Sequence, residues 1–183
     1  MRDIVFFDDL KVLQKHAKYL DVDNYIIAKK FRDSNEIKEL KQNSDFEICH
    51  LIDSNNQKEV NRFQNFADCI AVLGGDVTVN KFAASSKHVD FLIRPVIADK
   101  LSFDTGIANL LLQNEITVVL PFSQILNANS FQRTMLFRNY IFTAKICKKF
   151  GIDFEIMSCA GNEHELRTPE DLLALQKLLE AKK

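Results

Sequence analysis

The sequence predicts an α/β fold, a TIM-like (β/α) barrel with about seven parallel strands. Seven short runs rich in Val, Ile, Leu and Phe alternate with helical segments, and such alternation implies parallel strands joined by right-handed crossovers. The runs are continuous rather than alternating, which is typical of strands covered on both faces. No G-x-G-x-x-G turn follows the first run, which favours a closed barrel over an open dinucleotide-binding sheet.

The length of the chain limits the number of units. An eight-unit barrel usually needs about 250 residues, and this chain has 183. Seven compact units therefore fit better, in a single barrel domain over residues 1–183, because no linker or low-complexity tract interrupts the pattern. The predicted strands are Ile4–Phe7, Tyr25–Ala28, Phe46–Ile52, Asp68–Leu73, Val89–Ile93, Thr117–Leu120 and Phe154–Met157.

Helical periodicity predicts one helix after each strand. The predicted helices are Asp8–Leu20, Asn35–Gln42, Asn56–Phe66, Val77–Ser86, Thr105–Gln113, Ser130–Phe150 and Pro169–Ala181. Ser34 is expected to cap the second helix. The last helix opens with a Thr cap at Thr168, Pro169 at the first helical position, and two acids in the first turn, which are the residue types favoured at these places.

Charge and composition bound the function. The formal net charge of −1 argues against strong RNA binding by the chain alone, because phosphate neutralisation supplies much of the affinity of free-standing RNA-binding proteins. A local basic patch, or RNA contact within a complex, stays open. No apolar run approaches the roughly 20 residues that cross a bilayer, and the N-terminus becomes acidic too soon for a signal peptide. We therefore expect a cytoplasmic protein with no membrane partner.

The four cysteines are widely spaced and form no C-x-x-C pair. We expect buried, reduced thiols, because Cys49, Cys69 and Cys159 lie inside apolar, strand-like runs. A metal site would need clustered Cys or His ligands, and the sequence shows no such cluster.

The loops after the strands are where a parallel barrel carries its chemistry. Asp8, Asp53 and Asp76 follow the first, third and fourth strands, so one hypothesis is a metal-dependent phosphoesterase that gathers them at the barrel mouth. Hydrolytic barrels usually add histidines as H-x-H after the first strand, and that motif is absent here. The alternative is that the aspartates cap the following helices. The Gly74–Asp76 segment is likewise either a phosphate cradle or a tight turn before a helix.

The long helix predicted over Ser130–Phe150 carries an unusual charge pattern. The segment from Ile116 to Ile152 contains no acid. Arg138, Lys145 and Lys149 fall within about 40° of one another on a helical projection, which indicates either a solvated face or a binding stripe. Four apolar residues outside the packed face are candidates for a partner surface: Met135, Phe142, Ile146 and Phe150. Arg133 points toward the packed face and needs an anionic or carbonyl partner.

Four blocks, in order and at consistent spacing, resemble the ribonuclease P protein component 3 family. The blocks are Val72–Asp76 with Asn80, Lys81, Asp90 and Pro95; Phe103–Ile107; Arg133; and Ser158–Ala160 with Leu166–Pro169, Leu172 and Leu175. Lys81 stands where the family usually has Arg, and Asn109 where a His is frequent. The family's barrel is related by fold to PHP-type phosphoesterase barrels, and the missing H-x-H agrees with a barrel that has lost metal chemistry.

The resemblance implies a protein subunit of ribonuclease P, which removes the 5′ leader from precursor tRNA. It implies partners in the ribonuclease P RNA, precursor tRNA and a small RNA-binding protein subunit, paired as a two-plus-two assembly. It also implies Mg²⁺ held by the RNA, and no catalytic residue, metal or cofactor in this chain. The implied RNA-binding residues are Asn80, Lys81, Arg94, Lys100, Arg133 and Arg167, with Asp76, Asp104 and Ser158 in orienting roles. A binding module without an RNA role is a third hypothesis.

Overall fold

In the computed structural model, which describes residues 2–181, seven parallel strands form one sheet in the order β1 to β7. The strands are β1 (Arg2–Val5), β2 (Asn24–Lys29), β3 (Glu47–Ile52), β4 (Cys69–Leu73), β5 (Phe91–Ile93), β6 (Thr117–Pro121) and β7 (Phe154–Met157). The helices are α1 (Leu10–Leu20), α2 (Ser34–Asn43), α3 (Gln57–Phe63), α4 (Val77–Ser85), α5 (Thr105–Gln113), α6 (Phe122–Leu126), α7 (Ser130–Phe150) and α8 (Pro169–Ala181), with a 3₁₀ turn at Glu163–Glu165. The predicted barrel class is confirmed.

Most predicted boundaries hold within two or three residues, and the differences have local causes. The bounds of α5, α7 and α8 are those predicted. The cap of α2 is Asp33, whose carboxylate accepts the N–H of Glu36, so the expected cap at Ser34 is wrong and that residue opens the helix. Helix α6 was not predicted, because its five residues are too few to show helical periodicity.

Strand β1 closes the sheet against the segment after β7. Val5 forms a parallel bridge with Ala160, and the N–H of Phe6 donates to the Ala160 carbonyl over 2.7 Å. The N–H of Ser158 donates to Oδ1 of buried Asp3 over 2.7 Å. A backbone bridge and a side-chain acceptor thus join the two edges, and the sheet becomes a nearly closed barrel.

The interior of the barrel is filled by small and medium side chains. The inner cluster consists of Ile4, Ile26, Ala28, Cys49, Cys69, Ala71, Phe91, Ile93, Val119, Met157 and Cys159. Seven strands enclose less space than eight, and alanines and cysteines suit that narrow interior. All four cysteines are buried free thiols, as predicted, and burial raises the pKa of Cys49 and of Cys159.

The outer faces of the strands pack against the helices, and side chains from both form the second and larger core cluster. Tyr140 on α7 is fully buried there, and its hydroxyl donates toward the Pro121 carbonyl over 2.9 Å. Within residues 2–181, no helix combines the length and the apolar character that a bilayer span requires.

Candidate nucleic-acid interface

The turn after β4 is held in place by one buried amide side chain, that of Asn80. Its Nδ2 donates to the carbonyls of Pro95 and Ser102, both over 2.7 Å, and its Oδ1 accepts the N–H of Gly75 over 3.2 Å. Asn80 has no exposed surface, so the prediction that it contacts RNA is wrong. It is a positioning residue that ties the loop after β4 to two points of the loop after β5.

The two glycines of this turn are required by geometry. A Cβ on Gly74 would lie 2.2 Å from Oδ1 of Asn80 and 3.2 Å from the Arg94 carbonyl. Gly75 has a φ of 111°, which L side chains rarely adopt. The Gly74–Asp76 segment is therefore the tight turn that the sequence left open, with Asp76 accepting the N–H of Thr78 as the cap of α4.

Arg94 lies directly after β5 and faces this turn. Its backbone is in the left-handed region, with φ 56°, and its Nη2 reaches the Gly74 carbonyl over 3.4 Å. Its Nε is buried and has no hydrogen-bond partner within residues 2–181. Among residues 2–181, the Arg94 side chain thus contacts one backbone carbonyl and has no carboxylate partner.

Arg133 is oriented by backbone carbonyls at the junction of α6 and α7. Its Nε donates to the Ile125 carbonyl over 3.1 Å, and its Nη2 reaches the carbonyls of Leu126 and Ala128 over 3.4 and 3.0 Å. This is the carbonyl partner that the sequence analysis required. Carbonyls fix the orientation of a guanidinium, but they do not neutralise its charge.

Arg167 is held in a similar way at the other end of α6. Its Nη1 donates to the carbonyls of His164 and Leu166, and its guanidinium lies 5.4 Å from the ring centroid of Phe122. Its backbone N–H donates to Oγ of Ser158 over 3.2 Å. Ser158 is buried and orients Arg167 without reaching the surface. Helix α6, missed from sequence, therefore separates two arginines that belong to different blocks of the chain.

Each of the three aspartates of the metal-site hypothesis is paired with a lysine. The pairs are Lys29 Nζ with Asp8 Oδ2 at 2.6 Å, Lys30 Nζ with Asp53 Oδ1 at 2.8 Å, and Lys100 Nζ with Asp76 Oδ2 at 2.5 Å. The lysine partners hold the pKa of Asp53 below its usual range and that of Asp76 at about 2. Among residues 2–181, no group of three His, Cys, Asp or Glu side chains is placed to hold a metal ion.

The remaining polar residues of interest lie in different environments: one caps a helix, two are surface lysines and one is buried in the core. Asp104 caps α5 by accepting the N–H of Ile107 over 2.8 Å. Lys81 is exposed on α4, and Lys100 is engaged by Asp76. His50, the one histidine placed within a predicted strand, is fully buried and stacks on Phe63 at 3.8 Å between centroids.

The apolar flank of α7 is smaller than the sequence suggested. Ile146 is only 8% exposed, so its assignment to a partner surface is wrong. Met135 and Phe150 are partly buried, and Phe142 is 42% exposed. Neighbouring elements cover this flank because α7 packs against both α5 and α8.

Comparison with known proteins places this geometry in a family. A relative from Methanothermobacter thermautotrophicus, named Ribonuclease P protein component 3, is 29% identical over 78% of this chain and 61% of its own length. One of the same name from Thermococcus kodakarensis is 32% identical over 61% of this chain and 51% of its own length. The chain thus spans only about half to three fifths of these relatives.

The fold also matches a solved structure. A chain in a cryo-electron microscopy structure of archaeal Ribonuclease P with mature tRNA superposes with a TM-score of 0.84. The superposition covers 98% of this chain and 82% of that chain at 21% identity, and it shows a shared fold. Residues 11–183 match the family described as RNase P subunit p30. The chain therefore belongs to the RNase P subunit p30 family.

Proposed function

We propose that this chain is a protein subunit of ribonuclease P that supports the catalytic RNA during removal of the 5′ leader from precursor tRNA. In this proposal the RNA holds the Mg²⁺ ions that cut the phosphodiester, and no residue of this chain is catalytic. The support is membership in the p30 family together with the charges at the barrel mouth.

One observation carries the proposal. At the mouth, the aspartates that could hold a metal are each paired with a lysine, whereas Arg133 and Arg167 are fixed by neutral carbonyls. The carboxylates are thus compensated within the chain, and the two arginines remain oriented but uncompensated. Such a surface suits phosphate groups better than a hydrolytic metal centre.

The expected role of these cations is positional. Arginine and lysine contacts to phosphates fix register and lower repulsion, but they do not read sequence. Arg94, Arg133 and Arg167, together with Lys81, which is exposed on α4, would hold a folded RNA backbone across the mouth. Lys100 contributes less, because its charge already pairs with Asp76.

The proposal includes a protein partner. A net charge of −1 is low for a subunit that binds RNA by itself, so a small RNA-binding protein, in a two-plus-two assembly in the cytoplasm, would supply much of the affinity. Co-purification from the native source tests this, and we expect a structured RNA and a small protein to accompany the chain. Purification of the chain with neither would contradict it.

Charge removal in a reconstituted complex tests the function. We expect R94Q/R133Q/R167Q to lower precursor tRNA cleavage and to raise the Mg²⁺ concentration required. All three arginines also contact backbone carbonyls, so the triple variant removes structural contacts as well as charge. K81Q therefore serves as a second variant that breaks no side-chain contact, and thermal unfolding reports on folding. The control is K87Q, an exposed lysine beyond the other end of α4. Unchanged cleavage and unchanged Mg²⁺ requirement in both test variants would refute the role.

A further inference from the structure

One side of the barrel, formed by the consecutive helices α4 to α7 and called the wall below, has helices without acidic residues. Helices α4, α5, α6 and α7 contain no Asp or Glu. Between residues 64 and 153 the acids lie in the loops, and several of them precede strands: Asp68, Asp90, Glu115 and Asp153. A chain that is nearly neutral overall therefore has an acidic end and an acid-free wall, and net charge alone conceals this separation.

Helix α7 carries a stripe of exposed cations along this wall, formed by Arg138, Lys145 and Lys149. The side chains of Arg138 and Lys145 make no hydrogen bond or ion pair with any part of the chain that the structure describes. The side chain of Lys149 has only a ring contact, with its Nζ 5.8 Å from the centroid of Phe150. The helix rise separates the first two by about 10 Å and the last two by about 6 Å. The stripe is thus free to bind an extended polyanion.

Two exposed phenylalanines lie on the same flank of α7 as the cations. Phe131 is 73% exposed in the first turn, and Phe142 is 42% exposed about three turns later. About 16 Å of helix separates them, and Met135, which lies between them on this flank, is partly buried, so they are widely spaced rings. A protein interface would need a continuous apolar core, whereas unpaired bases can stack on isolated aromatic rings beside cations.

We propose that unpaired RNA binds along the outer face of α7, with phosphates on Arg138, Lys145 and Lys149 and with bases stacked on Phe131 and Phe142. This inference rests on the proposed function and extends it from the mouth to the barrel wall. Charge complementarity supports a polyanion as the occupant, because the exposed face of α7 carries three cations and no acid.

Salt-dependent binding of a labelled oligouridylate, which has no secondary structure, tests the inference on the full chain. We expect R138Q/K145Q/K149Q to bind roughly a hundredfold more weakly at 0.1 M salt, with the slope of log affinity against log salt reduced by about 2. F131A/F142A should weaken binding but leave that slope unchanged. The control K38Q/K58Q/K177Q removes the same charge from exposed sites on other helices and should leave the slope unchanged.

An unchanged slope in R138Q/K145Q/K149Q overturns the inference. So does a variant that retains oligouridylate binding but loses binding to polyglutamate, because the stripe would then fit an acidic protein. Reconstituted cleavage separates this failure from failure of the proposed function. If R94Q/R133Q/R167Q impairs cleavage while the stripe variant binds RNA normally, only the α7 inference fails; if neither variant has an effect, both proposals fail.

Discussion

Nζ of Lys100 lies 2.5 Å from Oδ2 of Asp76, so an RNA-binding candidate and a metal-ligand candidate are partners of each other. Asp76 also accepts the N–H of Thr78 over 2.8 Å as the cap of α4. The pair connects the loop before α5 to the start of α4. The pair argues against Lys100 as a main RNA contact, because its charge is compensated. It also argues against Asp76 as a metal ligand, because its carboxylate is already bound.

We predict that K100Q raises the pKa of Asp76 from about 2 toward its ordinary value of 3.8, because the lysine is the largest cause of the depression. The carboxyl ¹³C shift of Asp76, followed in an NMR pH titration, measures this. K81Q is the control and should leave that pKa unchanged. If the pKa stayed near 2 in K100Q, the Thr78 N–H would account for the depression. The pair is exposed, so K100Q should have little effect on stability.

We predict that G74A lowers the free energy of unfolding by about 2–4 kcal/mol. Its Cβ would lie 2.2 Å from Oδ1 of Asn80, and displacing that side chain leaves buried carbonyls without donors. Urea denaturation measures the loss. G161A is the matched control, because a Cβ there would meet only Oε2 of Glu165 at 3.5 Å. Equal stability of the two variants would contradict the role given to Asn80.

We predict that D3N increases stability at neutral pH. Burial raises the pKa of Asp3 to about 6, so the folded protein binds this proton more tightly than the unfolded chain. Stability is therefore lost as pH rises from about 4 to about 6, by about 3 kcal/mol. Asparagine removes that loss and keeps an oxygen for the N–H of Ser158.

Urea denaturation of D3N and the unaltered protein at pH 4.5 and 7.5 checks the sign. The difference between them should be larger at pH 7.5, which separates Asp3 from other groups that titrate in this range. D3A is the companion variant, and it should be less stable than D3N because it leaves the Ser158 N–H without an acceptor. A D3N protein less stable than the unaltered one at pH 7.5 would count against the titration argument.

We predict that chelation leaves the thermal midpoint of the purified chain unchanged, and that added Mn²⁺ or Zn²⁺ produces no phosphodiesterase activity in the absence of RNA. The reason is that Asp8, Asp53 and Asp76 already have lysine partners. Elemental analysis and hydrolysis of an activated phosphodiester check this. Stoichiometric bound metal together with RNA-independent hydrolysis would restore the phosphoesterase hypothesis.

The sequence by itself determined the order of the elements and most of their ends. The bounds of α5, α7 and α8 are those expected from periodicity and caps, because both signals act between residues within about one helical turn of each other. The tight turn at Gly74–Asp76 was one of two open alternatives, and distinguishing them needed the position of Asn80. The short helix α6 left no periodic signal.

Only the tertiary structure decided which polar residues face solvent and which pairs compensate each other. Asn80 and Ile146 are buried because distant loops and helices cover them, and no local pattern records that coverage. The lysine partners of the aspartates come from neighbouring units. Where β1 meets the segment after β7, Asp3 binds Ser158 across 155 residues of chain. The folding of the chain into a barrel brings such distant residues together. The sequence therefore indicated the cations of the mouth. Only the fold showed that Lys100 is compensated while Arg133 and Arg167 are not.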